Sequence, residues 1–264
     1  MRVYAEVAKR SFRRWSTYRA ATIAGVFTNS VFGMIRAAVF VAVVTAKPGA
    51  GGYTAHDVIT FSFISQGMLA FLAAFGGIDE ITQRVRTGDI VTDFYRPTDF
   101  QAWWLAFDTG RATFQLLGRF VPILAIGAVV YGIEWPASVG AAALFAVSIY
   151  AALLISFGIR YIVSLSAFWI LDTRGTTQLA VTLIMFGSGN IAPLSFFPHW
   201  LEPTVRALPF AGMVQTPADV WMGVVTGPAA VARVLLQLAW ASALLLGGRY
   251  LTVMATRRVV IQGG

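Results

Sequence analysis

Apolar segments long enough to cross a lipid bilayer recur along this chain, and they constrain its fold more than any other feature. The hydrocarbon core of a bilayer is about 30 Å thick, so a helix needs roughly 20 apolar residues to span it. Six segments fit this requirement to within a few residues: 20–44, 55–77, 112–131, 137–171, 178–193 and 229–254. Only 12% of the 264 residues are charged, against about 25% in a soluble domain. The sequence therefore predicts an all-α membrane protein with six transmembrane helices in a single domain over 1–264, and disfavours a soluble enzyme.

The distribution of positive charge predicts the orientation of these helices. Thirteen lysines and arginines lie in residues 1–20, 78–111, 172–177 and 255–264, whereas the alternate connections contain only Lys47 and Arg206. Because cytoplasmic loops of membrane proteins carry the excess of positive charge, both termini are expected in the cytoplasm. The net charge of +8 would suggest nucleic-acid binding in a soluble chain. Here the charges cluster at the ends of apolar segments, so we expect membrane lipid, and no nucleic acid, as their partner.

The first 19 residues are predicted to form an amphipathic helix in the membrane interface. The apolar face comprises Tyr4, Val7, Ala8, Phe12, Trp15 and Tyr18, and the charged face Arg2, Glu6, Lys9, Arg10 and Arg13. Aromatic side chains toward lipid and arginines toward water are typical of an interfacial helix. The alternative is a signal peptide. The length of the following apolar segment, and Arg36 within it, disfavour that alternative.

The sequence contains no recognisable catalytic or metal site. It has no cysteine, which excludes thiol nucleophiles, zinc–thiolate sites and disulfides, and no P-loop for a nucleotide. Ser188 lacks the preceding glycine of a nucleophile elbow, and both histidines, His56 and His199, lie in predicted external regions. No aspartate is predicted in the middle of a span, which disfavours an aspartyl intramembrane protease. We therefore expect no enzyme, no catalytic residue, and no metal or cofactor in this chain.

A short amphipathic helix is predicted in the cytoplasmic connection, at residues 78–88. Acids in its first turn, arginines in its last turn and a glycine just beyond favour both helix ends. These residues are Asp79, Glu80, Arg84, Arg86 and Gly88. Ile78, Ile81 and Val85 share one side. Such a helix would either dock in a partner's groove or be a plain surface helix that closes a loop.

The external connection at 194–228 is apolar and aromatic, yet prolines occur at 193, 198, 203, 209 and 217 in and beside it. The prolines forbid one long helix, whereas the apolar side chains disfavour a loop that is free in solvent. A broken, partly re-entrant pair of short helices satisfies both conditions. Irregular backbone at membrane depth must pack on protein or line a cavity.

Two motifs lie in these two connections. The first is Arg86-Thr87-Gly88-Asp89-Ile90 followed by Tyr95-Arg96-Pro97. The second runs from Ser188-Gly189 through Pro193, Phe197-Pro198 and Trp200-Leu201 to Leu208-Pro209-Phe210. With these motifs in this order, six spans and an amphipathic N-terminal helix, the chain resembles the ABC-2 type permeases, the membrane subunits of bacterial ABC exporters. The resemblance is closest to the group that pairs with a second permease and a separate ATPase.

The resemblance implies a permease subunit of an ATP-driven exporter in the bacterial cytoplasmic membrane, working by alternating access. Residues 78–88 would be the coupling helix, the N-terminal helix the connecting helix, and residues 194–228 part of the external gate. ATP and Mg would bind to two copies of a separate ATPase, and a second six-helix permease, homologous or identical, would complete the path. The coupling residues implied are Asp79, Glu80, Arg84, Arg86, Gly88, Asp89, Arg96 and Pro97, and the gate residues are Pro193, Phe197, Pro198, Trp200, Pro209 and Phe210.

Polar residues within the spans are candidates for the translocation path, because each is costly when it faces lipid. They are Asn29, Arg36, Gln66, Ser188 and Asn190, on the first, second and fifth helices, which line the path in the resembled fold. Arg36 would alternatively snorkel to the interface or pair with the partner permease, and a serine would alternatively bond to its own helix. Arg160 is interpreted as marking where the fourth span reaches the cytoplasmic headgroups.

Functions other than ATP-driven export stay open at this level. An ATP-independent membrane carrier or a non-transporting membrane scaffold would have the same apolar segments. Drugs, lipids, peptides and glycans all fit a cavity between such helices, so the sequence predicts no substrate.

Overall fold

The computed structural model describes residues 2–75, 78–133, 135–136, 138–170 and 172–262, and within these ranges all regular structure is helical. The α-helices in chain order are α1 (Arg2–Ser16), α2 (Arg19–Ala46), α3 (Ala55–Phe71), α4 (Asp79–Thr87), α5 (Ile90–Phe94), α6 (Phe100–Gln115), α7 (Val121–Tyr131), α8 (Val139–Leu165), α9 (Arg174–Gly187), α10 (Glu202–Ala207), α11 (Gln215–Met222) and α12 (Gly227–Gln262). A π-helical segment, Leu116–Phe120, joins α6 to α7 without a break. The predicted all-α fold is confirmed.

Among the described residues, four helical stretches are long and apolar enough to cross a bilayer: Arg19–Ala46, Phe100–Tyr131, Val139–Phe168 and Gly227–Arg258. They correspond to the predicted first, third, fourth and sixth spans, and they make the chain a multi-pass membrane protein.

The predicted second and fifth spans are shorter helices. α3 has 17 residues and α9 has 14 residues, which at 1.5 Å per residue rise about 25 Å and 21 Å. Each is followed by a turn with positive φ, 49° at Ala73 after α3 and 82° at Gly189 after α9. A total of six spans therefore stays a prediction.

Two predicted boundaries are wrong. The third span begins at Phe100 rather than at residue 112, because Asp99 caps this helix by accepting a hydrogen bond from the Ala102 N–H at 2.8 Å. The fourth span ends before residue 171, since α8 passes into a 3₁₀ turn at Ser166–Phe168. Its length is 30 residues, and it begins beside Ser138, whose side chain accepts from the Ala141 N–H at 3.1 Å.

α3 lies at the centre of the helix packing. It contacts α2, α7, α11 and the π-helical segment, and Phe61, Phe63, Ile64 and Met68 are fully buried. A helix that is apolar on every side is stable in a folded protein when neighbours cover it on every side. The polar residues Thr60, Ser62, Ser65 and Gln66 of α3 are consequently buried within the protein.

α1 lies along the first part of the third span and contacts α6. Gly110 permits this approach, because a Cβ atom there would lie 2.0 Å from the carbonyl oxygen of Ala8. Phe12 meets Phe114 edge to face with ring centres 5.6 Å apart, and Val7 is buried. The amphipathic helix thus forms, but α6 covers part of the face that the sequence assigns to lipid.

Candidate translocation groove and coupling region

A groove of about 560 Å³ lies between α2, α3 and the end of α9. Four of the five residues predicted for the translocation path line it: Asn29, Arg36, Gln66 and Asn190. The rest of the lining is mostly apolar and includes Phe32, Val39, Phe40, Leu69, Phe75 and Met185. The fold therefore brings polar residues from three distant parts of the sequence to one surface.

Arg36 is the charged residue of this lining. Its Nη1 donates a hydrogen bond to Ser65 Oγ at 3.1 Å, and its Nη2 donates to the Ile191 carbonyl oxygen at 3.1 Å. The guanidinium carbon lies 5.4 Å from the centre of the Phe40 ring. None of the ion pairs between described residues involves Arg36. Its positive charge is therefore held by neutral groups within the described residues.

The two asparagines connect the walls of the groove. Asn29 Nδ2 lies 3.5 Å from the Gln66 carbonyl oxygen, and Asn190 Nδ2 donates to the Ser65 carbonyl oxygen at 3.2 Å. Ser188, the fifth predicted residue, does not reach the groove. It is fully buried, and its hydroxyl accepts from the Asn190 N–H at 3.2 Å. Its observed contact shapes the turn that carries Asn190.

The predicted coupling helix forms as α4, which ends at Gly88 in the left-handed conformation with φ 79°. Its apolar side faces inward, because Ile81 is fully buried and the Ile78 N–H donates to Ser164 Oγ at 2.7 Å. Docking of α4 in a partner's groove stays a prediction, and its buried apolar side is not the surface that would make the contact. The chain's own side chains cover this apolar side: Phe100, Trp104, Phe157, Tyr161 and Leu165.

The exposed side of α4 is polar. The exposed residues of this polar edge are Asp79, Gln83, Arg86, Thr87, Gly88 and Asp89. The edge borders a groove of about 510 Å³ between α4 and the start of α9, whose lining includes Thr82, Thr173, Arg174 and Gln178. A partner at this surface would meet charged and hydrogen-bonding groups rather than an apolar stripe.

Asp93, which the sequence analysis did not single out, connects two of the predicted coupling residues. It is 7% exposed, and Arg84 donates to both its oxygens, from Nη2 to Oδ1 at 2.8 Å. Arg96 Nη2 lies 3.2 Å from Oδ1, and the Arg96 guanidinium lies 5.2 Å from the Trp103 ring centre. Arg84 and Arg96 thus hold the return of the chain after α4, and Pro97 is exposed within it. The spacing of three residues between Asp93 and Arg96 is the sequence signal for this pair.

Further pairs tie α4 and the residues after it to their surroundings. Glu80 accepts from Arg14 of α1 at 3.1 Å, and Arg86 lies 3.7 Å from the Asp172 carboxylate before α9. Asp89 accepts from the Thr87 hydroxyl at 2.8 Å. Exposed pairs of this kind are individually weak, but they fix which elements adjoin α4.

A buried polar network centres on Asp219 of α11, in the external connection. Its carboxylate accepts hydrogen bonds from Tyr53 at 2.8 Å, Gln215 at 2.7 Å, Arg206 at 2.9 Å and Arg233 at 2.7 Å. Burial, together with the Asp219 carboxylate, raises the pKa of the Tyr53 hydroxyl above its ordinary value. The hydroxyl consequently remains a donor at neutral pH. The network joins α11 to α10, α12 and the turn before α3.

The external connection is broken into short helices, as the prolines predict. The gate residues differ in exposure, with Pro193 and Pro209 buried, Phe197 and Phe210 partly buried, and Pro198 and Trp200 exposed. Phe210 packs on the end of α9, where a Cβ on Gly187 would lie 2.9 Å from the Phe210 Cβ. Trp200, 76% exposed, points away from the packed interior. The six residues therefore differ in their surroundings, and their role in an external gate stays a prediction.

Asp108 forms a second buried network, at the end of α3. It pairs with Arg111 at 2.7 Å and with Arg160, and Arg111 donates to the carbonyl oxygens of Ala70 and Phe71 at 2.8 and 2.9 Å. The interpretation of Arg160 as a headgroup marker is wrong, since this residue is 3% exposed inside the protein. Asp108 lies in the first part of the helical stretch Phe100–Tyr131 and not in its middle. One carboxylate between two arginines also differs from the pair of aspartates that an aspartyl protease uses.

Comparisons with known proteins agree with this architecture. A family model described as ABC-2 family transporter protein matches the chain over residues 32–263. The match begins within α2 and includes the polar edge of α4, the connection at 194–228 and the groove lining apart from Thr28 and Asn29. A search of the curated proteins found no match.

Proposed function

The chain belongs to the ABC-2 transporter family, and from this premise we propose that it forms half of the translocation path of an ATP-driven exporter. Membership makes the chain a membrane permease, a transport component that is not itself catalytic. The observation that supports the further proposal is the groove itself. Its polar residues, Asn29, Arg36, Gln66 and Asn190, are far apart in sequence and line one surface.

A second permease would complete the path. Large apolar side chains are exposed at every fourth residue of α2: Ile23, Phe27, Val31, Ile35, Val39 and Val43. This spacing keeps them on one slowly turning face of the helix, which suits contact with lipid or with another membrane helix. Because Arg36 and Val39 also line the groove, a second six-helix permease, homologous or identical, laid against α2 would close the groove.

The groove favours substrates with two kinds of surface. Arg36 provides a positive charge that no acidic side chain in the described residues neutralises. Phe32, Phe40 and Met185 provide apolar contact area. An amphipathic molecule with an anionic or strongly polar group satisfies both.

Coupling to ATP hydrolysis is assigned to the polar edge of α4. One of two copies of a separate ATPase, which would hold ATP and Mg, would dock there, and the other would dock on the second permease. α4 follows α3 after a short connection and is tied to α1 by Arg14 and Glu80 and to the start of α9 by Arg86 and Asp172. A displacement of α4 by the ATPase would therefore act on α3 and α9, two of the three elements that border the groove, and would change access to it.

The test is purification of the tagged chain from its own host in mild detergent, with ATP hydrolysis measured on the purified complex. We expect an ATPase and a second permease to co-purify. Gln83→Ala with Asp89→Ala, on the exposed polar edge, should lose the ATPase and retain the second permease. Arg257→Ala, an exposed change on α12, is the control and should retain both. A wild-type chain that purifies alone would overturn the proposal in favour of an ATP-independent carrier or a non-transporting scaffold.

A further inference from the structure

A second groove, of about 530 Å³, lies between α1 and α6. Val7, Trp103 and Phe107 give it an apolar lining, and α1 adds the charged residues Arg2, Glu6, Arg10 and Arg14. Charged residues of α1 occur every fourth position here, so they follow one edge of the helix. The groove thus joins an apolar surface to a row of mostly positive charges.

Two of the four charged residues have partners elsewhere in the chain. Glu6 pairs with Lys9 at 3.7 Å, so its negative charge is partly offset by a residue outside the groove lining. Arg14 pairs with Glu80 at 3.1 Å, and its guanidinium carbon lies 5.7 Å from the Phe107 ring centre.

The other polar groups of the groove have no such partner. Arg2 and Arg10 are exposed and take part in none of the ion pairs between described residues. Ser11, which also lines the groove, is 1% exposed, and its hydroxyl has no hydrogen-bond partner in the part of the chain that the structure describes. A buried hydroxyl without a partner is costly. The guanidinium groups of Arg2 and Arg10 and the hydroxyl of Ser11 are therefore available to bind a group from outside the chain.

We propose that this groove is a binding site for an anionic glycerophospholipid. The phosphate would lie between Arg2 and Arg10, and an acyl chain would lie against Val7, Trp103 and Phe107. Arg2 and Arg10 are separated by a rise of about 12 Å along α1, a span that two long arginine side chains can bridge around one headgroup. Guanidinium groups bind phosphate by charge-assisted hydrogen bonds, and basic residues at a membrane surface attract anionic lipid.

The position of the groove favours lipid over a soluble protein as its occupant. Trp103 and Phe107 belong to the first turns of a helix that is long and apolar enough to cross a bilayer. A groove at this place opens where α1 meets the membrane surface. A bound lipid would hold α1 at that surface and, through Arg14 and Glu80, would fix the position of α4.

The experiment measures binding of phosphatidylglycerol to the delipidated full chain by native mass spectrometry, with phosphatidylcholine and glycerol 3-phosphate as comparison probes. We expect phosphatidylglycerol to bind and phosphatidylcholine to bind at least roughly tenfold more weakly, because its choline group repels arginine. Glycerol 3-phosphate, which lacks acyl chains, should not bind measurably.

Two matched double variants distinguish binding at a specific site from attraction by the overall positive charge. Arg2→Gln with Arg10→Gln should weaken phosphatidylglycerol binding about tenfold. Arg13→Gln with Arg19→Gln removes the same charge from exposed positions beside the groove and should leave the binding unchanged. Ser11→Ala should also weaken it.

Several results would overturn the proposal. If both double variants weaken lipid binding equally, the overall positive charge of this region, and not a specific site, attracts the lipid. Equal binding of the two lipids, or equally tight binding of glycerol 3-phosphate, would exclude an anionic lipid site. Unchanged lipid binding with loss of a co-purifying ATPase in the Arg2→Gln, Arg10→Gln variant would identify the groove as a protein contact. If that variant does not fold, two results decide the question: the comparison of the three probes on the wild-type chain, and lipid binding by Ser11→Ala.

Discussion

Asp108 on α6 accepts a hydrogen bond from Arg160 on α8, and both side chains are buried, with 4% and 3% of their surface exposed. Arg111 adds a second cation to the same carboxylate and also binds the last carbonyl groups of α3. One negative charge therefore compensates two buried positive charges at the point where three helices meet.

Asp108→Asn should destabilise the protein strongly. The change leaves two buried guanidinium groups without a counter-charge, which costs about 3–5 kcal/mol when one partner of a buried ion pair is removed. The measurement is the thermal midpoint of the purified chain in detergent. Asp172→Asn, which removes a carboxylate from exposed pairs, is the matched control and should change stability by about 0–1 kcal/mol. Equal midpoints for Asp108→Asn and the wild type would contradict the structural role of this cluster.

Arg36→Gln should impair the transport of anionic molecules without loss of folding. Its partners, Ser65 and the Ile191 carbonyl, are neutral, so no buried charge is left unpaired. Uptake of paired anionic and neutral amphiphiles into inverted membrane vesicles would measure the effect. Uptake of the anionic compounds should fall about tenfold, the equivalent of 1.4 kcal/mol, and uptake of the neutral compounds should change little. Val39→Ala, in the same groove, serves as the control, and a loss shared equally by both kinds of compound would argue against a role for the charge.

Asp93→Ala should mainly reduce stability, whereas Asp89→Ala should mainly reduce ATPase binding. Asp93 is buried and paired with Arg84 and Arg96, so its loss should lower stability by about 1–3 kcal/mol. Asp89 is exposed and should leave the thermal midpoint unchanged while it reduces the amount of co-purified ATPase. Thermal unfolding and quantitative co-purification would be measured on the same preparations. Retention of full ATPase binding by Asp89→Ala would remove this residue from the docking surface.

Tyr53→Phe should flatten the alkaline dependence of stability. Burial and the Asp219 carboxylate raise the pKa of Tyr53, whereas in the unfolded chain the tyrosine pKa is about 10. A raised pKa means that the folded state favours the protonated hydroxyl, so its contribution is complete below about pH 10 and is lost as the pH rises toward the folded-state pKa. The thermal midpoint of the wild type should therefore fall more steeply above about pH 10 than that of the variant.

At neutral pH the same substitution removes the hydrogen bond to Asp219 and should cost about 0.5–1.5 kcal/mol. Parallel midpoint curves for wild type and Tyr53→Phe across the alkaline range would show that the hydroxyl does not titrate differently in the folded state.

The helices and the polar groove could be predicted from the sequence because their signals are local. An arginine within an apolar segment, as at Arg36, is conspicuous, and the acids, arginines and glycine of residues 78–88 mark both ends of α4. The approach of Asn29, Gln66 and Asn190 to Arg36 depends on tertiary packing, but each is detectable alone as a polar residue in a predicted span.

The buried aspartates could not be found in the same way. Asp93, Asp108 and Asp219 each draw partners from residues that are distant in sequence or on a separate element. Asp108 also lies outside the predicted third span, because the apolar segment begins at residue 112. The helix itself begins at Phe100, where Asp99 caps it. The apolar side of α4 shows the related difficulty that a sequence pattern does not reveal whether a face meets a partner or the chain's own core.

The hydrogen bonds at the end of α3 affect how this helix can respond to a displacement of α4. Its last carbonyl oxygens accept hydrogen bonds from Arg111, and the Ser156 hydroxyl donates to the carbonyl of Leu72 just beyond the helix. The carbonyls at a helix end are ordinarily free to bind water or to fray, but here side chains of α6 and α8 occupy them. A push delivered through α4 would consequently not be absorbed by unwinding the final turn. It would reach α6 and α8 through the same hydrogen bonds, so that a shift of the wall bearing Ser65 and Gln66 would involve these two helices as well.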